Sequence, residues 1–299
     1  MAFRNSSWPV LSLVYLLAVA ACGDKPTDLS EQARSWPRRV LITNDDGIES
    51  QVTLELARAF AQVAETFLVV PAQDQSSSTN FATSVRTGRL RVATRELGPG
   101  VTAWAVDGYP ADCVFFALAG PLRESRPDLV ISGVNTGTNL ADAWIGSGTI
   151  GAARMAAYYG VPAIAISGVD SNDLQAVRAI VAWVVRLAQS EAVRRLQPPE
   201  YLTVSLPVGP ASEIRGIEIT QRARGLRDMK ALLLPGDSAG SAWQDWSLTV
   251  VRDAFPAPQN TDATVVGAGR IAIVAMRVDE TDREMQGWLK KHRDLIPAW

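Results

Sequence analysis

A short apolar segment that stops at a polar turn is the feature of this sequence that most constrains its fold. Val40 to Ile42 predicts a buried strand, and Asn44-Asp45-Asp46-Gly47 follows it as a turn. An amphipathic helical pattern then runs from Gly47 to about Val63. Because parallel sheets are assembled from strands that lead into helices in this way, the segment predicts an α/β protein.

The same unit recurs along the chain. Further strands are predicted at 67–70, 102–106, 127–134, 161–167, 201–206, 214–220 and 270–276. Helical patterns alternate with them, and this predicts an α/β fold with a mainly parallel sheet covered by helices on both faces. Residues 225–260 lose the periodicity, so we predict that they lie outside the main sheet.

The first residues have the pattern of a secretory leader. One positive charge, Arg4, precedes an apolar core at 10–21 that is too short to span a membrane. The tetrapeptide Val19-Ala20-Ala21-Cys22 also resembles the lipobox of bacterial lipoproteins, in which the cysteine becomes the lipidated first residue. An ordinary cleaved leader is the alternative.

We therefore expect a signal peptide at 1–21, a lipid anchor at Cys22 as the only attachment to a membrane, and a polar tether at 22–37. The expected location is the periplasmic side of a bacterial membrane. Gly23 stands where an aspartate would resemble the signal for inner-membrane retention, and this favours the outer membrane.

Charge and composition exclude several functions. The net charge of −2 provides no basic surface for duplex nucleic acid. The single histidine, His292, lies in a polar C-terminal segment, which excludes catalytic triads and histidine-rich zinc sites within the fold. Cys113 has no second cysteine to pair with once Cys22 is lipidated, and its apolar neighbours predict an inert core thiol.

Three of the predicted strands end in loops rich in oxygen ligands. Asp45 and Asp46 follow the first strand, Ser76 follows the second, and Asn135 follows the strand at 127–134. Because the carboxyl ends of parallel strands share one rim, these side chains are expected to lie close together. Such oxygens suit a hard divalent ion. The alternative is that the two aspartates only cap the turn and the helix after it.

Gly146 to Gly151 spells G-x-G-x-x-G, but its context does not fit a dinucleotide fingerprint. A loop precedes it instead of a strand, and the next strand ends in Ser167-Gly168 instead of an acidic residue. Hydroxyls of Ser147 and Thr149 at the start of a predicted helix favour an anion site that suits phosphate. A metal beside such a site predicts phosphoester chemistry.

At this point the chain resembles the SurE family, nucleotidases that remove phosphate from nucleoside monophosphates. The resemblance spans roughly residues 39–281. It is carried by LITNDDGIES (41–50), VDGYPADCVFFAL (106–118), PDLVISGVNTGTNL (127–140), SGTIGAARMAAYYGVPAIAIS (147–167) and TDATVVGAGRIAI (261–273). The family implies a Rossmann-like, three-layer αβα core, here at 38–225. It also implies a C-terminal extension at 226–299, a flap or β-hairpin with a strand and helix, that forms a homodimer or homotetramer.

The resemblance also implies the site. One divalent ion per subunit, Mg²⁺ or Mn²⁺, is expected on Asp45, Asp46, Ser76 and Asn135, and the phosphate on Asn139, Ser147, Gly148 and Thr149. Hydrolysis is expected by attack of a metal-activated water, with Asp46 orienting the water or taking its proton. Direct attack by Asp45 on phosphorus is the alternative.

The chain departs from the family pattern at several positions. Gln73 and Gln75 replace two arginines of the Ser76 loop, Gly146 replaces a tyrosine, and Tyr109 replaces a threonine. These changes leave the expected ligands in place but bear on base preference and on 5′ versus 3′ specificity. Two other functions stay open: a phosphatase for polyphosphate or another small phosphoester, and a non-catalytic nucleotide-binding lipoprotein.

Overall fold

A computed structural model describes residues 36–225, 228–235, 243–251 and 255–296 of the chain. The predicted leader and Cys22 lie outside the described residues. Within the described ranges, no helix combines the length and the apolar character needed to cross a membrane.

Eleven strands are present among the described residues. They are β1 (Arg39–Thr43), β2 (Glu65–Pro71), β3 (Arg91–Glu96), β4 (Val101–Asp107), β5 (Leu129–Asn135), β6 (Ala163–Ser167), β7 (Glu200–Ser205), β8 (Ile217–Ile219), β9 (Asp228–Leu233), β10 (Trp246–Val251) and β11 (Ile271–Arg277). Nine of them form one sheet in the order β3-β4-β2-β1-β5-β6-β7-β11-β8. The central strands are parallel, while β3 pairs antiparallel with β4 and β11 antiparallel with β7. The predicted mainly parallel sheet is confirmed.

Helices cover both faces of this sheet. They are α1 (Gln51–Phe60), α2 (Thr83–Thr87), α3 (Pro110–Ala119), α4 (Gly148–Tyr158), α5 (Leu174–Ala188), α6 (Glu191–Arg194), α7 (Asp262–Gly267) and α8 (Arg283–Lys291), with 3₁₀ turns at Ala141–Ile145, Ala211–Glu213 and Arg293–Leu295. The apolar faces of α1 and α5 pack in one core cluster, and those of α3 and α4 pack in another on the opposite face. The predicted three-layer arrangement is therefore confirmed.

The first strand is central because its residues are apolar on both faces. Val40, Leu41 and Ile42 are fully buried between β2 and β5. A strand buried on both faces has a continuous apolar run instead of alternation, which is the pattern the sequence shows. The central position of β1 places the acidic turn after it in the middle of the rim.

Strand β3 and the short helix α2 were absent from the sequence-based prediction. Most side chains of β3 are exposed, since the strand lies at the edge of the sheet. Its sequence, RVATRE, therefore has neither an apolar run nor a clear alternation. Charged side chains on an edge strand oppose pairing with another chain, so this composition suits the position.

Strands β9 and β10 form a separate two-stranded antiparallel sheet. They belong to the irregular segment 225–260, and the described part of that segment adds no strand to the main sheet. The pair exposes large apolar side chains, including Leu248 at 77%. The chain then returns to the main sheet as β11, between β7 and β8.

Cys113 and His292, to which the sequence analysis gave no chemical role, are far from the acidic turn in the sequence. Cys113 is a free, fully buried thiol in α3, and burial raises its pKa well above the usual range, so the predicted inert core thiol is confirmed. His292 ends helix α8, where its ring stacks on Trp288 with the centroids 4.4 Å apart.

We predict that Gly151→Ala destabilises the protein although alanine favours helices. A Cβ at Gly151, in the first half of α4, would lie 2.0 Å from the backbone carbonyl oxygen of Thr79. Relieving that overlap is expected to lower the free energy of unfolding by about 1–3 kcal/mol. Gly287→Ala in α8 is the control, since a Cβ there meets nothing within 4 Å. Urea unfolding that showed no loss for Gly151→Ala would contradict this packing.

Candidate active site

The acidic turn after β1 is built on Asn44. Its buried side-chain nitrogen donates to the Gly47 carbonyl at 2.8 Å and to the Thr53 hydroxyl at 2.9 Å, while its side-chain oxygen accepts from Gly47 N–H at 3.2 Å. These bonds close the turn and tie it to helix α1. The Asn44 side chain therefore supplies the hydrogen bonds that close the turn, and neither aspartate is needed for this.

Gly47 is required at the end of this turn for two reasons. Its φ is +89°, a left-handed conformation that residues with a side chain rarely adopt. A Cβ would also lie 2.8 Å from the backbone of Gln73 in the loop after β2. That loop is bonded to the turn through Gln75 N–H, which donates to the Asp45 carbonyl at 2.8 Å. Two of the expected ligand-bearing loops are thus in direct contact.

Asp45 connects the turn to the start of helix α4. Its side chain is 3% exposed, and its Oδ2 accepts from Thr149 N–H at 3.0 Å while its Oδ1 accepts from the Thr149 hydroxyl at 2.7 Å. Burial raises the pKa of Asp45, and the bonds from Thr149 oppose that rise. A carboxylate at a helix N-terminus is stabilised by the helix dipole as well. Both oxygens of Asp45 are therefore engaged within the protein.

Asp46 is in a different environment. Its Oδ2 is buried and has no hydrogen-bond partner among the described residues. Burial, followed by the nearby charges of Asp45 and Asp74, raises the pKa of Asp46 to about 7. An ionised oxygen held without a partner between other carboxylates is unfavourable unless a cation compensates it. This is the environment expected of a carboxylate that binds a metal ion.

The other two expected ligands lie on neighbouring strand ends. The order β2-β1-β5 places the loops bearing Ser76 and Asn135 on either side of the acidic turn. Ser76 is exposed and donates its hydroxyl hydrogen to Asp74 at 2.7 Å. The Asn135 side-chain nitrogen donates to the Gly137 carbonyl at 2.8 Å, which leaves its amide oxygen as the group for a cation.

These donors are chemically consistent with a hard divalent ion. No three His, Cys, Asp or Glu side chains gather into a metal-binding group in the part of the chain that the structure describes. The expected set contains only two such residues, and Ser76 and Asn135 contribute neutral oxygens. Carboxylates with neutral oxygens suit Mg²⁺ or Mn²⁺, and the unpartnered Oδ2 of Asp46 fits a place for the ion.

The expected phosphate-binding residues gather at the start of α4. The Ser147 hydroxyl caps the helix by accepting from Ile150 N–H at 3.1 Å. The Asn139 amide nitrogen lies 3.4 Å from the Thr149 hydroxyl, and the backbone N–H of Asn139 donates to the Ser167 hydroxyl at 3.1 Å. The backbone N–H and the hydroxyl of Thr149 both donate to Asp45, so Thr149 links the expected metal ligands to the expected phosphate-binding residues.

A buried ion pair that the sequence-based prediction missed supports the Asn139 loop. Arg222 is 9% exposed and donates to the carbonyl oxygens of Asn139 at 3.0 Å and Ala141 at 3.4 Å. Asp262, 1% exposed, accepts from Ala141 N–H at 3.0 Å and lies 3.4 Å from Arg222. The pair thus holds both sides of the loop. Asp262 belongs to the TDATVVGAGRIAI motif, so that motif was a signal for it.

Two of the positions that depart from the family pattern, Tyr109 and Gly146, contact the same segment of the chain. Tyr109 packs edge-on against Phe81, with the ring centroids 4.7 Å apart. The Gly146 carbonyl accepts from Thr79 N–H at 3.1 Å, and a Cβ on Gly146 would meet nothing within 4 Å. The segment 76–81 therefore contacts both positions. Asp112 anchors the chain after it by accepting from Thr83 N–H at 2.8 Å and Ser84 N–H at 2.9 Å.

Comparison with known proteins agrees with this arrangement. A sequence model of the family described as survival protein SurE matches residues 40–228. The 5'-nucleotidase SurE 1 of Burkholderia lata is 32% identical over 258 residues, covering 84% of this chain and 95% of that protein. The 5'-nucleotidase SurE of Geotalea uraniireducens is 34% identical over 254 residues, covering 85% and 98%. The crystal structure of the SurE protein from Aquifex aeolicus matches with a TM-score of 0.69 and 25% identity, over 86% of this chain and 100% of that one.

We predict that Asp46→Asn stabilises the metal-free protein at alkaline pH. Because the folded-state pKa of Asp46, about 7, exceeds its ordinary value of 3.8, the folded protein holds a proton between these pH values that the unfolded chain releases. The stability contributed by that proton is present below the unfolded pKa and lost as pH rises through 7. We expect a gain of about 1–3 kcal/mol at pH ~8, allowing for solvent screening, and little difference at pH ~4.

Urea unfolding of the chelator-treated protein at both pH values measures this effect. Glu49→Gln removes an exposed carboxylate from the same turn and should leave the pH profile of stability unchanged. An Asp46→Asn protein that is no more stable than the wild type at the higher pH would contradict the raised pKa.

Proposed function

Because this chain belongs to the family of survival protein SurE, we propose that it is a metal-dependent 5'-nucleotidase that releases phosphate from nucleoside 5'-monophosphates. Nucleoside 3'-monophosphates are a second substrate class within the same chemistry. The family match over residues 40–228 and the curated relatives support the enzyme class.

One contact supports phosphoester chemistry at this site independently of the family match. The two hydrogen bonds between Asp45 and Thr149 place an acidic turn directly against the N-terminus of an eleven-residue helix. An acidic turn attracts a cation, and a helix N-terminus attracts an anion. A site that holds both in contact suits a phosphomonoester with its divalent ion.

We propose the following roles for residues of this chain. Asp45, Asp46, Ser76 and Asn135 hold one Mg²⁺ or Mn²⁺ ion, which when bound neutralises charge on the phosphate and lowers the pKa of a water. Asn139, Ser147, Gly148 and Thr149 form the phosphate-binding segment, in which Thr149 also fixes Asp45. Preorganised donors of this kind stabilise the charge that develops on the phosphate oxygens.

The different environments of the two aspartates support different proposed roles for them. Both oxygens of Asp45 accept hydrogen bonds from Thr149, which makes Asp45 a fixed ligand and opposes its direct attack on phosphorus. Asp46 Oδ2 has no such partner among the described residues, so Asp46 is the group that orients the attacking water or accepts its proton.

We also propose how the enzyme is assembled and placed. The exposed apolar side chains of β9 and β10 form a surface that suits burial against further copies of the chain, as a homodimer or homotetramer. Cys22, outside the described residues, is proposed to be lipidated and to anchor the enzyme on the periplasmic side of a bacterial membrane, with the outer membrane favoured. The substrates would then be extracytoplasmic nucleotides.

We predict that the purified protein releases phosphate from purine and pyrimidine 5'-monophosphates with Mg²⁺ or Mn²⁺, and that chelation abolishes release. Asp46→Asn is expected to lower kcat by about 100-fold or more, the scale of lost acid–base assistance. Glu49→Gln is the matched control and keeps its activity. Colorimetric measurement of phosphate gives the rates.

The same assay separates the alternative functions. Release from polyphosphate or sugar phosphates without release from nucleotides would replace the proposed substrate class. Binding of nucleotides without release from any substrate would indicate a non-catalytic lipoprotein. An Asp46→Asn rate within twofold of wild type would remove Asp46 from the proposed chemistry.

We predict that Cys22→Ala abolishes incorporation of labelled fatty acid and releases the protein from membranes. Cys113→Ala is the matched control, because Cys113 is buried in the fold. Metabolic labelling followed by membrane fractionation measures both effects. A wild-type protein that is soluble and unlabelled after export would instead indicate an ordinary cleaved leader.

A further inference from the structure

Ser78 is a buried polar residue to which the sequence assigned no role. Its side chain is 8% exposed, and its hydroxyl has no hydrogen-bond partner among the described residues. A buried hydroxyl without a partner loses its hydration and gains nothing in return, so such groups are uncommon in folded proteins and often belong to binding sites.

The Ser78 hydroxyl points at the start of helix α4. A Cβ built on Gly148, the first residue of this helix, would lie 2.8 Å from Ser78 Oγ and 3.0 Å from Asp45 Oδ2. The hydroxyl and the carboxylate thus both lie against Gly148, at the start of the helix. A Cβ at position 148 would overlap both side chains, which explains the glycine there.

The backbone around Ser78 holds the hydroxyl in place. The Ser78 carbonyl accepts from Phe81 N–H at 3.0 Å, and Thr79 N–H donates to the Gly146 carbonyl at 3.1 Å. The Thr79 carbonyl packs against Gly151 so closely that no Cβ would fit. The segment that carries Ser78 is therefore fixed against the first turns of α4 rather than free to swing away.

We propose that Ser78 is a further phosphate-binding residue, whose hydroxyl donates a hydrogen bond to an oxygen of the substrate phosphate at the N-terminus of α4. This inference rests on the proposed function, because it assigns a new donor to the same phosphate site. It fits the local chemistry, since the backbone N–H and the hydroxyl of Thr149 both donate to Asp45 in this structure. Neutral donors at the helix N-terminus then have a larger share in holding the anion.

The proposal predicts that replacing Ser78 weakens phosphate binding without lowering the stability of the free protein. Ser78→Ala removes a hydroxyl that has no hydrogen-bond partner in the described part of the chain, so the variant should unfold at the same temperature as the wild type or slightly higher. Inorganic phosphate with Mg²⁺ should raise the unfolding temperature of the wild type and raise that of Ser78→Ala much less. A hydroxyl with a purely structural role would give the opposite result, a less stable variant with normal phosphate binding.

Kinetics provides the second measurement. A hydrogen bond to a charged group corresponds to roughly 10- to 100-fold in binding, and we expect Ser78→Ala to lower kcat/KM for nucleoside monophosphates by about that factor. Ser132→Ala is the matched control: Ser132 is also buried, and its hydroxyl also has no partner within the ranges that the structure describes, but it lies within β5. This control should change neither phosphate binding nor kcat/KM.

The outcomes distinguish this inference from the proposed function. If the wild type releases no phosphate from any substrate yet binds inorganic phosphate through Ser78, the nucleotidase assignment fails and the binding residue stands. If the wild type is active and Ser78→Ala matches it within twofold in kcat/KM and in phosphate-dependent stabilisation, the Ser78 assignment fails alone. Loss of stability in Ser78→Ala with unchanged phosphate binding would also overturn it.

Discussion

The pair of hydrogen bonds from Thr149 to Asp45 is the contact on which the rest of the candidate site depends. It joins the turn after the first strand to the first turn of helix α4, through two residues that lie 104 positions apart in the chain. The carboxylate is nearly inaccessible to water, so its charge must be balanced within the protein, and a helix N-terminus supplies two donors and a favourable dipole. Because Asp45 is held in this way, its neighbour Asp46 is left as the carboxylate with an oxygen that no described residue satisfies. The asymmetry between two adjacent aspartates thus arises from one helix end.

The order of strands explains why so few residues suffice to build the rim. Strands β2, β1 and β5 are adjacent and parallel, so the loops that follow them open at the same edge of the sheet. Distant parts of the chain then brace these loops. Gln75 bonds the β2 loop to the acidic turn, and the Arg222–Asp262 pair holds the Asn139–Ala141 segment from the C-terminal side. Removing one member of such a buried pair would leave the other charge buried without a partner, so both members of the pair are needed.

The sequence predicted the parts of this structure that depend on local pattern. Continuous apolar runs located the central strands, and the paired aspartates at a strand end located the acidic turn. Edge strand β3 was not predicted because it buries too little apolar surface to produce an apolar run or alternation in the sequence. The roles of Asn44 and Ser78 were not predicted for another reason. Asn44 is defined by the partners that its side chain meets in the folded chain, and Ser78 by a hydroxyl that meets none among the described residues. Arg222 follows the predicted strand at 214–220, and nothing local marks it as the partner of a residue forty positions later.

The Arg222–Asp262 pair also determines when the site can become complete. Asp262 follows both β9 and β10 in the chain, and it is this carboxylate that accepts from Ala141 N–H beside Asn139. A polypeptide synthesised from its N-terminus therefore presents the acidic turn early, but the Asn139–Ala141 loop gains this support only after nearly all of the chain has been made. A partly synthesised chain thus lacks the last support of the candidate site, and this order separates synthesis from activity.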